Sequence, residues 1–414
     1  MTGSDTNARA PRSATWLLLA SLYCAQGLPS GLIAHSLPVL LRQSGVDLAL
    51  IGLLKLLALP WLFKALWAPW VDRIGSPRWG HRRGWILPLQ TTVILCLAAL
   101  ALLDQATLFG PAVMALLGVL LLVNLAAATQ DIATDGLTVR LLPARWRGLG
   151  NSVQVGGYKI GMLVSGSGLL LCIDVLGWNR ALGLIAGLLL VLTLPIRRFD
   201  EQRLAPRLAD APETARGARL LWHHYHGLIT QAGMGQWLLV VIAFKLGDAL
   251  GSPMIKPMLV DQGWSNAQLG QMTLISTLAG IAGAVLGGAL YTRLGIRRSL
   301  MFFGFLQALG IAAMALLVGR GAEPALVYAV TLAEQLADGM STVALFAGMM
   351  ARCRPEHEGA DYTLQASVQL LLAGVVGVFS GLLARSVGYE ATFLVAGCLG
   401  LLALPIVYRT FSGR

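Results

Sequence analysis

Charge is scarce in this chain of 414 residues, and lysine is the scarcest charge. Only 12% of residues are Asp, Glu, Lys or Arg, about half the share in an ordinary soluble domain, which argues against a free-standing soluble protein. Cysteine occurs five times, at Cys24, Cys96, Cys172, Cys353 and Cys398, with no CxxC spacing. That pattern excludes a zinc ribbon or a dithiol redox motif, and the cysteines are expected to pack as small hydrophobes. No GxxxxGK[ST] phosphate loop occurs, so ATP hydrolysis on this chain is not expected. No cofactor is expected, and no catalytic residue set. Long polar stretches are missing too, apart from one near the middle.

What is abundant is apolar sequence: 56% hydrophobic residues and a mean hydropathy of +0.70. A bilayer crossing needs roughly 20 apolar residues. Runs of that length fall at about 16–41, 49–70, 85–103, 110–135, 149–173 and 180–196, then at about 237–258, 267–292, 299–319, 324–351, 362–384 and 388–408. The pattern predicts an all-α polytopic membrane protein with twelve spans. Its predicted parts are a tail (1–15), a six-helix bundle (16–197), a linker (198–236), a second six-helix bundle (237–409) and a short tail (410–414). The first apolar run is longer than a signal-peptide core and has no clear small-residue cleavage site, so it is expected to remain as the first helix.

The net charge of +11 raises nucleic acid as a partner, and the distribution of arginine excludes it. With the N-terminus inside, the inner segments hold 22 arginines and the outer loops only Arg42, Arg180, Arg320 and Arg385. The inner set includes Arg9, Arg73, Arg82, Arg140, Arg207, Arg216, Arg293, Arg354 and Arg414. This is a strong positive-inside bias and places both termini in the cytoplasm. The five lysines are all within apolar surroundings: Lys55, Lys64, Lys159, Lys245 and Lys256. A cation at mid-bilayer costs at least about 2.5–3.5 kcal/mol, so these lysines are expected to face a cavity.

The two halves echo each other. Asp72-Arg73-Ile74-Gly75 after the second span matches Thr292-Arg293-Leu294-Gly295 after the eighth. Parallel six-helix halves joined by a polar linker are the arrangement of the major facilitator superfamily. Glycines at Gly157/Gly161 and Gly283/Gly287 give GxxxG spacing in the fifth and eighth spans, which suits either contacts that slide between halves or static packing.

Acidic residues inside spans are few: Asp131 and Asp135 in the fourth, Asp248 in the seventh, Glu334 and Asp338 in the tenth. Each four-residue pair shares a helix face expected to look into a central cavity. Two roles compete for them. As proton-coupling groups, Glu334, Asp338 and Asp131 would take and release a proton as the cavity changes sides; as structural groups they would pair permanently with lysines. Asp135 is expected to pair with Arg140 in a gate, Lys64 to serve near Asp72, and Lys245 to satisfy Asp248 three residues on. Lys256 is expected to snorkel to the interface, leaving Lys55 and Lys159 as candidates for an anionic substrate. His35 is expected to be a hydrogen-bonded interior histidine, and the run His223-His224-Tyr225-His226 lacks nearby Cys or carboxylate ligands for a metal.

Several segments carry a family resemblance. Trp61-Leu62-Phe63-Lys64-Ala65-Leu66-Trp67-Ala68-Pro69-Trp70-Val71-Asp72-Arg73, followed by Gly80-His81-Arg82-Arg83-Gly84-Trp85, resembles the AmpG-like branch of the major facilitator superfamily. So do Gln26-Gly27-Leu28-Pro29, Thr129-Gln130-Asp131-Ile132-Ala133-Thr134-Asp135, Leu142-Pro143-Ala144-Arg145-Trp146-Arg147-Gly148 and Gly339-Met340-Ser341-Thr342. That branch holds muropeptide permeases of the AmpG type and ferric-siderophore permeases of the RhtX/FptX type. AmpG-type chains usually have an aspartate where this one reads Gly136-Leu137-Thr138-Val139-Arg140, an arginine at the place of Lys159, and often extra helices. The wording of Gly150-Asn151-Ser152-Val153-Gln154-Val155-Gly156-Gly157-Tyr158-Lys159 looks closer to the siderophore permeases.

The resemblance implies import of a ferric siderophore of the pyochelin kind across the bacterial inner membrane, driven by protons. Iron would enter only as part of the cargo, and an outer-membrane siderophore receptor would be a functional partner. Such a chelate is flat, aromatic and often anionic. Lys55, Lys159, Tyr23, Tyr158, Trp61 and Phe244, with Gln130 and Asp131, are the residues expected to receive it, and Lys64, Asp72, Arg73, Asp135, Arg140 and Arg293 the gate or signature-loop residues. A muropeptide permease is the alternative, and a non-transporting membrane sensor a third reading, which the lack of a sizeable soluble output domain opposes.

Overall fold

The computed structural model describes residues 11–76, 78–203, 218–320 and 323–412. Arg9 in the first tail, Pro206, Arg207, Pro212 and Arg216 in the linker, and Arg414 lie outside the described residues. Among the described residues the structure is helical, with only an isolated bridge between Ser76 and Gly80.

Three stretches, Ala144–Arg198, Ala267–Leu317 and Glu358–Phe411, are each long enough to cross a bilayer twice. Each turns back at one glycine: Gly177 at φ 75°, Gly295 at φ 72° and Gly388 at φ 84°. A side chain would clash with the backbone there, so these glycines are what allow two rods to follow each other without a loop. Divided at them, the described residues form twelve rods, numbered here as spans 1–12: 13–43, 48–73, 83–102, 113–141, 147–176, 178–198, 234–261, 266–294, 296–317, 324–351, 358–387 and 389–412. The count matches the sequence pattern. The largest boundary difference is in span 4, which runs on to Leu141 instead of ending near 135. Leu137, Thr138 and Val139 continue its buried face, and Pro143 restricts the residue before it and ends the helix.

Four spans are irregular where polar side chains collect. Span 2 alternates α and 3-10 turns, with breaks at 53–58 and 64–66 around Pro60 and Pro69. Span 7 breaks at Lys245, φ −109°, and again at 252–254 with Pro253. Proline removes a backbone donor and crowds the preceding turn, which frees a helix to aim side chains inward. Spans 1 and 5 each carry a π turn, at Leu32–Ser36 and Val164–Gly168. The two turns face each other, and Ser36 Oγ donates to the carbonyls of Ser165 and Gly166, both at 2.7 Å.

Within each bundle, helices approach through glycine. A Cβ on Gly27 would lie 2.2 Å from the carbonyl oxygen of Tyr158, and one on Gly161 2.2 Å from that of Cys24, so spans 1 and 5 touch backbone to backbone. Gly283 meets Leu336 O at 2.1 Å in the same sense, joining spans 8 and 10. The GxxxG glycines of spans 5 and 8 are therefore in static packing inside their own halves. Contact between halves uses other small residues: Ser152 Oγ donates to Ala284 O at 2.6 Å, and Gly148 and Gly288 lie against Tyr291 and Ser152. Large apolar side chains on the outside, among them Leu95, Leu171, Val175, Leu309, Val378 and Leu402, form the lipid-facing surface.

The halves meet at one end. There span 2 and its loop reach the start of span 11, and the early turns of span 5 pack on the last turns of span 8. This is the end that carries the arginine-rich loops.

Candidate transport pathway

Two buried charge clusters occupy the middle of the molecule, one per half. In the N-terminal half Lys64 pairs with Asp131, their side chains only 7% and 9% exposed. The ammonium also sits 5.3 Å from the Trp61 ring centre. Lys64 stands in the 3-10 turn of span 2, and it serves span 4, not Asp72 as its sequence position suggested. Asp72 is taken by Arg82 instead.

Asp135 accepts from Tyr23 Oη at 2.9 Å and Gln154 Nε2 at 3.1 Å. The expected partnership with Arg140 is replaced by these bonds, because residues five apart on a helix point about 140° away from each other. Tyr23 also donates to Thr138 Oγ1 at 2.9 Å and is buried, so its ring is packing and its hydroxyl a carboxylate ligand. Gln130 faces span 3, donating to Gln90 Oε1 at 3.1 Å, and does not face a central cavity. Trp61 donates to Asn124 Oδ1 at 3.1 Å and meets Tyr158 edge-on at 6.5 Å; both remain partly exposed.

In the C-terminal half Lys245 donates to Asp338 Oδ1 at 2.6 Å, Ser341 Oγ at 3.0 Å and Gln307 Oε1 at 3.2 Å. Its distance to Asp248 is 3.9 Å, so the local pairing read from sequence is secondary to one across to span 10. The break of span 7 at Lys245 is what turns the side chain toward that helix. Asp248 accepts instead from Ser252 Oγ at 2.5 Å. Glu334 is 1% exposed and accepts from Gln335 Nε2 at 2.9 Å, with Ser252 Oγ at 3.5 Å and no cation in ion-pair contact among the described residues.

The remaining candidates separate. Lys159 of span 5 reaches across to span 8, where a Cβ on Gly280 would lie 2.7 Å from its Nζ. Its charge is felt by Asp338 and Asp248 of the other half. Lys55 is exposed on span 2, with no ion pair among the described residues. Phe244 is buried against Gly304 in the core of the C-terminal bundle, which corrects its reading as a cavity aromatic.

The closed end is held by a network that sequence reading largely missed. Arg82, fully buried, pairs with Asp72 of its own half and reaches Glu358 of the other at 3.3 Å. Asp72 Oδ2 accepts from the Ala360 backbone N–H at 2.7 Å, a second bond between halves. Glu201 accepts from the backbone N–H groups of Arg82 and Arg83 at 3.0 and 2.8 Å. Arg73 and Arg293 are exposed and Arg140 is half-buried. Arg82 had a sequence signal, because it follows the Asp72 loop within the conspicuous 80–85 segment; Glu358, 276 positions further on, had none.

The linker helix, Ala218–Ile229, closes over the same end. Tyr225 donates to the carbonyl of Ala65 in span 2, while His224 contacts Asp361 at 3.2 Å and its carbonyl accepts from Arg354 at 3.1 Å. His357 packs on the His224 ring at 4.7 Å, and burial, His224 and Arg354 hold its imidazole below the usual histidine pKa. No group of three or more His, Cys, Asp or Glu among the described residues is arranged to hold a metal.

Broken helices with charge pairs at mid-membrane, in two halves that meet at one end, define a secondary transporter. The chain belongs to the Major Facilitator Superfamily, whose family model matches residues 19–377 and 237–413. Relatives within it include an anhydromuropeptide permease and putative transporters named AmpG. The anhydromuropeptide permease of Escherichia coli K12 is 31% identical over 97% of this chain and 81% of its own length. The putative transporter AmpG 4 of Rickettsia conorii is 26% identical over 92% of each. Among solved structures, a bacterial homologue of the iron transporter ferroportin in an outward-facing state has a TM-score of 0.68 at 17% identity, over 97% of this chain and 100% of that one. The protein is thus a multi-pass transporter of the bacterial inner membrane.

Proposed function

We propose that this protein imports an amphiphilic anion from periplasm to cytoplasm by proton-coupled alternating access. The observation that carries the reading is the placement of Glu334. It is a buried carboxyl without a paired cation among the described residues, whose polar neighbours are neutral, Gln335 Nε2 at 2.9 Å and Ser252 Oγ at 3.5 Å, whereas Asp338 beside it is paired with Lys245. With the arginine-rich end cytoplasmic, the structure is closed to the cytoplasm by Arg82, Asp72 and Glu358 and is the state that receives cargo. Lys159 carries charge from one half to the acidic cluster of the other, so a change of protonation there alters how tightly the halves hold. Asp131, already paired with Lys64, serves structure and the alignment of spans 2 and 4.

Two cargoes fit this class. The relatives' names favour an anhydromuropeptide. A ferric siderophore of the pyochelin kind is supported by the residues where this chain departs from AmpG-type sequences. These are the stretch Gly136-Leu137-Thr138-Val139-Arg140, where AmpG-type chains usually have an aspartate, and Lys159, where they have an arginine. We take the siderophore forward, with the chelate as the only iron involved, no resident cofactor, and an outer-membrane siderophore receptor as functional partner. Spheroplasts with and without the protein are given pyochelin loaded with iron-55, or labelled anhydromuropeptide. Protein-dependent iron entry supports the siderophore; entry of the muropeptide alone replaces it.

A further inference from the structure

Glu334 forms part of the wall of a cavity of about 220 Å³ in the C-terminal half, lined from spans 7, 8, 9 and 10. Its volume is below that of a whole drug-sized pocket, roughly 300 Å³ or more, so it suits one group of a larger solute. The hydrogen-bond inventory of the lining selects that group. Thr273 and Thr277 donate to carbonyls of their own helix, both at 2.7 Å, and Ser252 donates its one proton to Asp248 at 2.5 Å, with Glu334 at 3.5 Å. Uncommitted donors are the ammonium of Lys256, exposed at the rim, the hydroxyl of Ser276, a residue 7% exposed whose oxygen has no partner, and the second amide proton of Gln335, whose first goes to Glu334.

A cation at the rim and a hydroxyl without a partner on a residue of the wall match a carboxylate. We propose that this cavity is the carboxylate subsite of the transported anion, with Lys256 as counter-ion and Ser276 as second donor, and that it fills only when Glu334 holds a proton. The second clause follows from the cavity's size. A carboxylate seated there and an ionised Glu334 are two anions on one wall, with Asp248 and Asp338 behind it on spans 7 and 10. Lys245 is committed to Asp338, and Lys159 faces the same cluster from span 5. One further cation, Lys256, balances one further anion, not two. Proton and carboxylate then enter together and leave together, which makes coupling a property of shared space. His35 of span 1, in the other half, lies within electrostatic reach of Lys256.

The inference rests on the anion-import reading, and its test separates the two. Thr277→Cys is made in a chain whose five native cysteines are replaced by serine, and labelled with methanethiosulfonates of either charge. With each rate taken relative to that reagent's rate with a free thiol in solution, a cation at the rim makes the anionic sulfonatoethyl reagent react about tenfold or more faster than the cationic trimethylammonium reagent. Lys256→Met brings the ratio to about one. Equal rates in the parent, or a ratio indifferent to Lys256→Met, overturns the subsite. Ferric pyochelin and anhydromuropeptide are then added as protectants at pH 6 and pH 8. Protection weaker at pH 8 in the parent and pH-independent in Glu334→Gln is the expected result; pH-independent protection in the parent overturns the shared proton. An intact charge preference with no protection by either cargo keeps the subsite and rejects the cargo reading.

Discussion

Replacing Lys64 by methionine leaves Asp131 without its cation in the middle of the N-terminal bundle. Both side chains are more than nine-tenths buried, and breaking such a pair from one side costs about 3–5 kcal/mol. The lost contact with Trp61, at 5.3 Å, adds about 0.5–2 kcal/mol. Asp131→Asn alone costs less, because the ammonium keeps the Trp61 face and the neighbouring Asp135. The double variant, Lys64→Met with Asp131→Asn, recovers most of the loss, since no buried charge is left unpaired; the difference from the sum of the single changes gives the coupling. Equilibrium unfolding in mixed micelles with increasing dodecyl sulfate, followed by tryptophan fluorescence, reads all four members of the cycle. A Lys64→Met protein within about 0.5 kcal/mol of wild type, or singles that simply add, would refute the assignment of the pair as structural.

Other outcomes follow from the closed end and from Glu334. Glu358→Gln removes the charge that Arg82 meets across the halves at 3.3 Å, worth about 1.5–3 kcal/mol. Spin labels at Ser44 and Gln262, on opposite halves at the open end, should then report a larger population at short distance; an unchanged distribution denies the network its gating role. Gly288→Val would put a Cβ 2.7 Å from the Gly148 carbonyl oxygen of the other half. It should raise labelling of cysteines from the cytoplasmic side without lowering unfolding stability, whereas Gly27→Val, facing Tyr158 O at 2.2 Å within one half, should lower stability itself. Glu334→Gln should abolish proton-driven accumulation and leave counterflow exchange, and full accumulation in that variant would remove Glu334 from coupling.

The fold was legible because lipid imposes it: long apolar runs, arginines on one side and a polar linker each follow from a bilayer that cannot hydrate backbone or charge. Even the three tight reversals, at Gly177, Gly295 and Gly388, fall at the junctions between successive runs. The site was legible by residue type and not by partner. Isolated lysines and the 131/135 and 334/338 spacings marked the right residues for attention, yet Lys64 to Asp131 and Lys245 to Asp338 join positions 67 and 93 apart. Those pairings depend on where span 2 breaks around its prolines and span 7 at Lys245, and on helix neighbours that a periodic apolar pattern leaves open. Phe244 shows the same limit from the other side, because an aromatic in a span reads identically whether it faces a cavity or Gly304. Lys256 near the end of its span looked like an interfacial anchor, and only the cavity beside it and the unpartnered Ser276 give it another role.

Proteoliposomes containing the purified protein, with a pH gradient imposed acid outside, test the central claim of proton-coupled import most directly. Ferric pyochelin labelled with iron-55, and in parallel anhydromuropeptide, are supplied outside and the internal content is followed with and without a protonophore. The account predicts protein-dependent accumulation of one of them above the external concentration, collapsing when the gradient is discharged. Protein-dependent entry that stops at equilibrium and ignores the gradient, or no entry of either solute, would contradict it.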